Sequence, residues 1–142
     1  MKNILIVSLL LTAIACAAPP KRIAAIVTEY RHNSHADVIV GRLLQTYTLD
    51  DKGKQPNLKL VSLYTDQVPK NDTSRKWAAK YGVPIYETVE ETLTLGTGKL
   101  AVDGVLLVAE HGQYPKNATG NTIFPKRRLF NEVQKVFRKT GQ

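Results

Sequence analysis

All three histidines of this chain fall in two short polar stretches, Glu29-Tyr30-Arg31-His32-Asn33-Ser34-His35 and Glu110-His111-Gly112-Gln113-Tyr114. Imidazoles and carboxylates in such company can do one of three things. Gathered about 2 Å from a divalent cation, His32, His35 and His111 with Glu29 or Glu110 would ligate zinc or iron. Arranged around a small anionic or polyhydroxy ligand, Glu29, Arg31, His32, Asn33, Ser34 and His35 would bind it, with Glu110 and His111 as acid and base. In the third case the same side chains only cap helices and satisfy turn backbone, as in an interaction module without chemistry. The residue types leave all three open. Ser34 has no flanking glycines, so a hydrolase nucleophile elbow is not indicated.

The elements between these stretches must place them. Ile23–Val27 is a compact apolar run of the kind that forms a strand buried on both faces. Ser34 and Asp37 make a capping pair for a helix whose apolar face is Ala36, Ile39, Val40, Leu43, Leu44 and Tyr47. Residues 50–56 form a polar loop, and Leu58–Tyr64 read as a second strand. Thr73 or Ser74 caps a helix through Trp77 to Tyr81, which Gly82 stops. Thr88 with Glu91 opens a short helix that ends near Gly96. Val102–Ala109 is predicted to be a fully buried strand, and residues 110–124 a long irregular loop. From Pro125 an amphipathic helix should bury Leu129, Phe130, Val133, Val136 and Phe137. Strands alternating with helices imply an α/β fold: a mainly parallel, Rossmann-like sheet with helices on both faces. The last helix would lead into a further parallel strand, so the expectation is a truncated sheet or the first part of a longer protein. Ligands bind such sheets outside the carboxyl ends of the strands, where both histidine-bearing stretches fall.

The segment Ala79-Lys80-Tyr81-Gly82-Val83-Pro84-Ile85-Tyr86-Glu87-Thr88-Val89-Glu90-Glu91, followed by Val102-Asp103-Gly104-Val105-Leu106-Leu107-Val108, carries a resemblance. It resembles the N-terminal nucleotide-binding domain of Gfo/Idh/MocA-type oxidoreductases, over roughly Ile23 to Glu110. The chain is also similar to uncharacterised exported bacterial proteins. The family resemblance implies a Rossmann-like fold, a nicotinamide cofactor, and Asp66 in the position that holds the cofactor ribose. The turn from Thr28 to Ser34 departs from the pattern, having no glycine to admit a pyrophosphate and a Glu29 that would repel one. The fold is therefore carried over and the NAD chemistry is not; the cofactor, if any, is left unknown.

The N-terminus reads as a secretion signal over residues 1–17, preceding a single domain over residues 18–142. Lys2 is followed by an apolar run from Ile4 to Ile14, too short to span a bilayer comfortably, and then by small residues. Ala13-Ile14-Ala15-Cys16 also reads as a lipobox, with Cys16 as a lipid anchor. Periplasmic or secreted localisation follows from this reading. Cys16 is the only cysteine, so the domain has no disulfide to rely on and must be stabilised by its core. The net charge of +8 is scattered along helices, and export argues against nucleic acid as the partner. The sequence thus points to an exported domain that binds a small polar ligand, sugar-derived in one version, as part of an oxidoreductase-like enzyme. A metal-dependent enzyme and a non-catalytic interaction module are the alternatives, and the oligomeric state is not read.

Overall fold

The computed structural model describes residues 18–48, 50 and 52–141; the signal-like segment and Cys16 lie outside them. Three strands form a parallel sheet: β1 (Lys21–Val27), β2 (Leu58–Thr65) and β3 (Gly104–Val108). Their spatial order is β2-β1-β3, so the first strand is central. Val27 is in register with Thr65 on one side and Val108 on the other. All three strands therefore end level, and the loops that follow them emerge at one edge.

Among the described residues, four helices cover the two faces: α1 (His35–Leu44), α2 (Ser74–Tyr81), α3 (Val89–Thr94) and α4 (Lys126–Thr140). Alternation along β1 divides the core. Ala25 and Val27 face Ala36, Val40 and Leu44 of α1, with Trp77 and Tyr81 of α2 packed alongside. Ala24 and Ile26 face Val89 and Leu93 of α3 and Leu129, Val133 and Val136 of α4. This is the α/β, Rossmann-like arrangement with helices on both faces that the strand–helix alternation predicts.

The local stop and start signals operate as read. Ser34 Oγ accepts from the Asp37 N–H at 3.2 Å, and Asp37 Oδ2 accepts from the Asn33 N–H at 3.0 Å. Thr88 Oγ accepts from the Glu91 N–H at 3.1 Å. Gly82 ends α2 with φ 65°, a conformation that costs glycine nothing. The cap of α2 differs. Thr73 donates its hydroxyl to the Tyr30 carbonyl, and Asp72 instead takes hydrogen bonds from Ser74 at the start of the helix.

Three expectations are corrected. β3 is an edge strand and half-buried, because among the described residues only β1 pairs with it. Its apolar run is the same that a central strand would carry, so the pattern could not tell the two apart. Ile39, Tyr47 and Phe130 are exposed and not core; Ile39 lines an open hollow beside β3. The segment from Glu110 to Phe124 is not irregular throughout. Lys116 and Thr122 form an antiparallel bridge, and Asn117 Oδ1 accepts from the Thr119 and Asn121 N–H groups to close the turn between them.

Candidate functional site at the carboxyl edge

From β1 the chain crosses through α1 to β2 on one side; from β2 it returns to β3 on the other. The loops after β1 and β3 thus leave toward opposite faces of the sheet, and the edge between them corresponds to the crevice where open parallel sheets bind their ligands. Backbone and side chain stitch the crevice floor. The Thr28 N–H donates to the Val108 carbonyl at 3.1 Å, and Thr28 Oγ accepts from the His111 N–H at 3.3 Å. Gln67 ties the β2 loop to the β3 loop, donating to the Gln113 carbonyl and accepting from the Gln113 N–H.

At one wall stands a cluster around Glu110. His35 Nδ1 lies 2.9 Å from Glu110 Oε2, and Lys126 Nζ lies 2.7 Å from Glu110 Oε1. The His111 ring meets that of His35 edge to face, centroids 4.7 Å apart. The hydrogen bond and charge of Lys126 hold the Glu110 carboxyl below its ordinary range. Burial, with the charges of Arg31 and His35 adding, pushes the His111 imidazole down. Glu110 is therefore anionic and His111 neutral near pH 7. The neutral His111 imidazole can accept a proton, and His35 is oriented beside it by the contact of its Nδ1 with Glu110. His35 is half-exposed and His111 partly buried.

Glu29 and Arg31 close the same region from the β1 loop. Glu29 is buried, with Oε2 3.4 Å from Arg31 Nε, and faces a hollow of about 230 Å³ shared with Gln67 and Gln113. Their opposite charges both reach His111. Glu110 and Lys126 line a separate hollow of about 320 Å³ beside β3.

The sequence grouped Glu29, Arg31, His32, Asn33, Ser34, His35, Glu110 and His111 at one edge. His35, Glu110 and His111 are in contact, with Arg31 and Glu29 close by. Ser34 is wholly buried and caps α1, so its hydroxyl serves the helix. His32 and Asn33 turn aside. His32 pairs with Asp37 at 3.6 Å, its side chain 82% exposed, and both residues line a different hollow between α1 and α2. The metal set His32, His35 and His111 is accordingly not assembled. Among the described residues, no three histidine, cysteine or acidic side chains are gathered as a metal ion would need.

Asp66, matched by resemblance to a ribose-holding acid, is committed elsewhere. Tyr64 and Tyr114 each donate to it at 2.7 Å, and Arg128 Nη2 reaches both of its oxygens at 2.6 and 2.7 Å. Burial raises the Asp66 pKa, but the hydrogen bonds from Arg128, Tyr114 and Tyr64 outweigh it and hold the carboxyl below its ordinary value. In return burial and the bond to Asp66 push the Tyr64 hydroxyl up to about 12. This knot ties the β2 end, the β3 loop and α4 together.

Sequence reading missed Lys126 and Arg128, which it left within the basic charge scattered along helices. One signal was available. Lys126, Arg127 and Arg128 crowd the first turn of α4, where the helix dipole disfavours cations unless carboxylates face them. Glu110 and Asp66 are those carboxylates. Compared with known proteins, the chain matches no family model, no curated protein and no solved structure.

Proposed function

We propose that the crevice between the loops after β1 and β3 binds a small polar ligand bearing an anionic group, a sugar acid being the best-matched class. The supporting observation is the joining of His35, Glu110, His111 and Lys126 at the divergence of the β1 and β3 loops. Lys126 and Arg31 supply cationic donors for a carboxylate, while the neutral His111 accepts a proton from a hydroxyl. If the ligand reacts, proton removal from a hydroxyl-bearing carbon or its oxygen is the step this set equips. A pyrophosphate-bearing cofactor is not part of the proposal, since the glycine-free turn carries a buried Glu29 toward the crevice. The chain would work outside the cytoplasm if residues 1–17 act as the export signal that their composition describes.

Titration with D-gluconate and D-glucuronate, followed by the imidazole proton resonances of the purified protein, tests this reading. Saturable shifts of His35 and His111 are expected, and His111→Ala should weaken binding about 3- to 10-fold, the worth of one hydrogen bond. Imidazole resonances that stay unmoved by both acids at millimolar concentration would refute it.

A further inference from the structure

The two edges of the sheet are finished differently. Along β2 the outer edge is closed by the segment after α2: the Leu63 N–H donates to the Pro84 carbonyl, and the Leu63 carbonyl accepts from the Tyr86 N–H. Val61 is skipped in the pairing of β2 with β1, and Lys59 places a charge near the start of the strand. Bulges, charges and covering segments are what keep an edge from pairing further. β3 carries none of them. Gly104–Val108 pairs with β1 residue for residue, holds no charge or proline, and among the described residues has no neighbour on its outer side. The Val108 carbonyl accepts from the Thr28 N–H at the end of β1, so by alternation the N–H and C=O groups of Val105 and Leu107 point outward.

Apolar side chains flank this edge on both faces. Ile39 of α1, 44% exposed, lines the hollow of about 320 Å³ beside Leu106, Leu107 and Val108. On the other face α3 packs against β1 and β2, and α4 beside it turns Lys139 toward Glu90. The opposite flank of α4 therefore lies toward β3. Lys126 stands on that flank and lines the same hollow, with Phe130, 52% exposed, one turn further along. Free backbone groups with apolar residues above and below them suit a continued sheet better than contact with water.

We infer that a second copy of this chain covers the edge, its β3 pairing antiparallel with the first about a twofold axis at Leu106, so that two three-stranded sheets join into one. Centred there, the pairing sets Val105 against Leu107 of the copy and Leu107 against Val105, and their outward N–H and C=O groups satisfy one another. The axis stands perpendicular to the sheet, so each face keeps its own kind. Ile39 approaches its counterpart on one side and Phe130 its counterpart on the other. Charge also selects this edge. A net charge of +8 disfavours the approach of a copy wherever the surface is basic. Between Asp103 and Glu110 there is no charged residue, and each end is locally balanced: Asp103 lies 4.0 Å from Lys21, and Glu110 2.7 Å from Lys126. The antiparallel register brings the Asp103–Lys21 end of one copy to the Glu110–Lys126 end of the other, carboxylates toward ammoniums.

Sedimentation equilibrium of the purified protein tests this. A reversible monomer–dimer equilibrium is expected, half-associated at about 10–100 µM, as suits a small interface. Ile39→Lys and Phe130→Lys alter exposed positions, so each should keep the melting temperature within about 2 °C while weakening association about tenfold or more. Leu106→Cys, made with Cys16→Ser so that no other thiol is present, should link two chains on mild oxidation. Opposed residues of a non-hydrogen-bonded antiparallel pair stand about 4.5 Å apart at Cα, within disulfide reach. A mass that stays at one chain up to about 500 µM, well beyond the expected range, would overturn the inference and leave the edge to a strand of another polypeptide. A dimer formed by both lysine variants as readily as by the unaltered chain would overturn it equally.

Discussion

Asp66→Asn is the perturbation that weighs the knot behind the candidate site. The carboxylate side chain is 11% exposed and accepts from two tyrosines and one arginine. A buried hydrogen bond to a charged group contributes about 1.5–3 kcal/mol. Arg128 is 47% exposed, so solvent screens its share to the scale of a surface pair, at most about 1 kcal/mol. Asparagine keeps one acceptor oxygen and turns an amide donor on the partners of the other. The net cost is then about 2 kcal/mol, close to 8 °C in melting temperature for a domain of this size. The sign with pH is fixed. Asp66 is held below its unfolded value, so its contribution is complete above the ordinary carboxylate range and is lost as pH falls through the depressed value. Urea midpoints of the two proteins should therefore differ fully at pH 7, and the gap should begin to close below about pH 4. Equal midpoints at pH 7, or a gap that widens in acid, would refute the assignment of Asp66 as a structural acceptor.

Two more outcomes can be checked on the same purified protein. His111 is held neutral in the fold by burial and neighbouring cations, so its contribution is present above about pH 6.5 and lost as pH falls through its lowered value. Urea midpoints of the unaltered chain should accordingly fall faster between pH 7 and pH 5 than those of His111→Gln; parallel curves would count against a depressed His111. Gly112 sits at φ 126°, where an added Cβ would lie 2.5 Å from the Tyr114 ring and 3.0 Å from Gln67 Oε1. Gly112→Ala should cost about 1–3 kcal/mol and lower the melting temperature by about 4–10 °C; an unchanged melt would show that the loop relaxes freely.

What was legible from sequence was what short stretches decide. The run Ile23–Val27, the caps at Ser34 and Thr88 and the stop at Gly82 each depend on neighbours within four residues, and each took its expected form. The carboxyl-edge location of both histidine stretches also followed, because strand polarity fixes where loops emerge. Side-chain direction within a loop did not. His32 and His35 are three residues apart, yet the left-handed turn at Asn33 sends the first toward α2 and leaves the second facing Glu110. Long-range partnership was equally hidden. Asp66 looks like any turn aspartate until Tyr114 and Arg128, 48 and 62 residues further on, close upon it. Burial of Phe130 was misread because an apolar residue at the border of a helical stripe satisfies the periodicity whether or not a neighbour covers it.

The first turn of α4 explains how one short stretch of chain can serve both the knot and the site. Lys126 and Arg128 are two positions apart on a helix, so their side chains leave it about 200° from each other. One takes Glu110 beyond the end of β3, the other Asp66 beyond the end of β2, and the helix start is thereby wedged across the central strand's exit. Three cations in a first turn oppose the helix dipole, each by about 0.3–1 kcal/mol, and Pro125 offers no side-chain cap, so the two carboxylates offset a local penalty. Acidic loops and basic helix start therefore favour each other's position. The consequence for the crevice is preorganisation. Glu110 is fixed from one side by a residue of a long, well-packed helix and from the other by His35 at the start of α1. A ligand of the proposed class would meet donors and acceptors already placed, so little of its binding energy would be spent on ordering them.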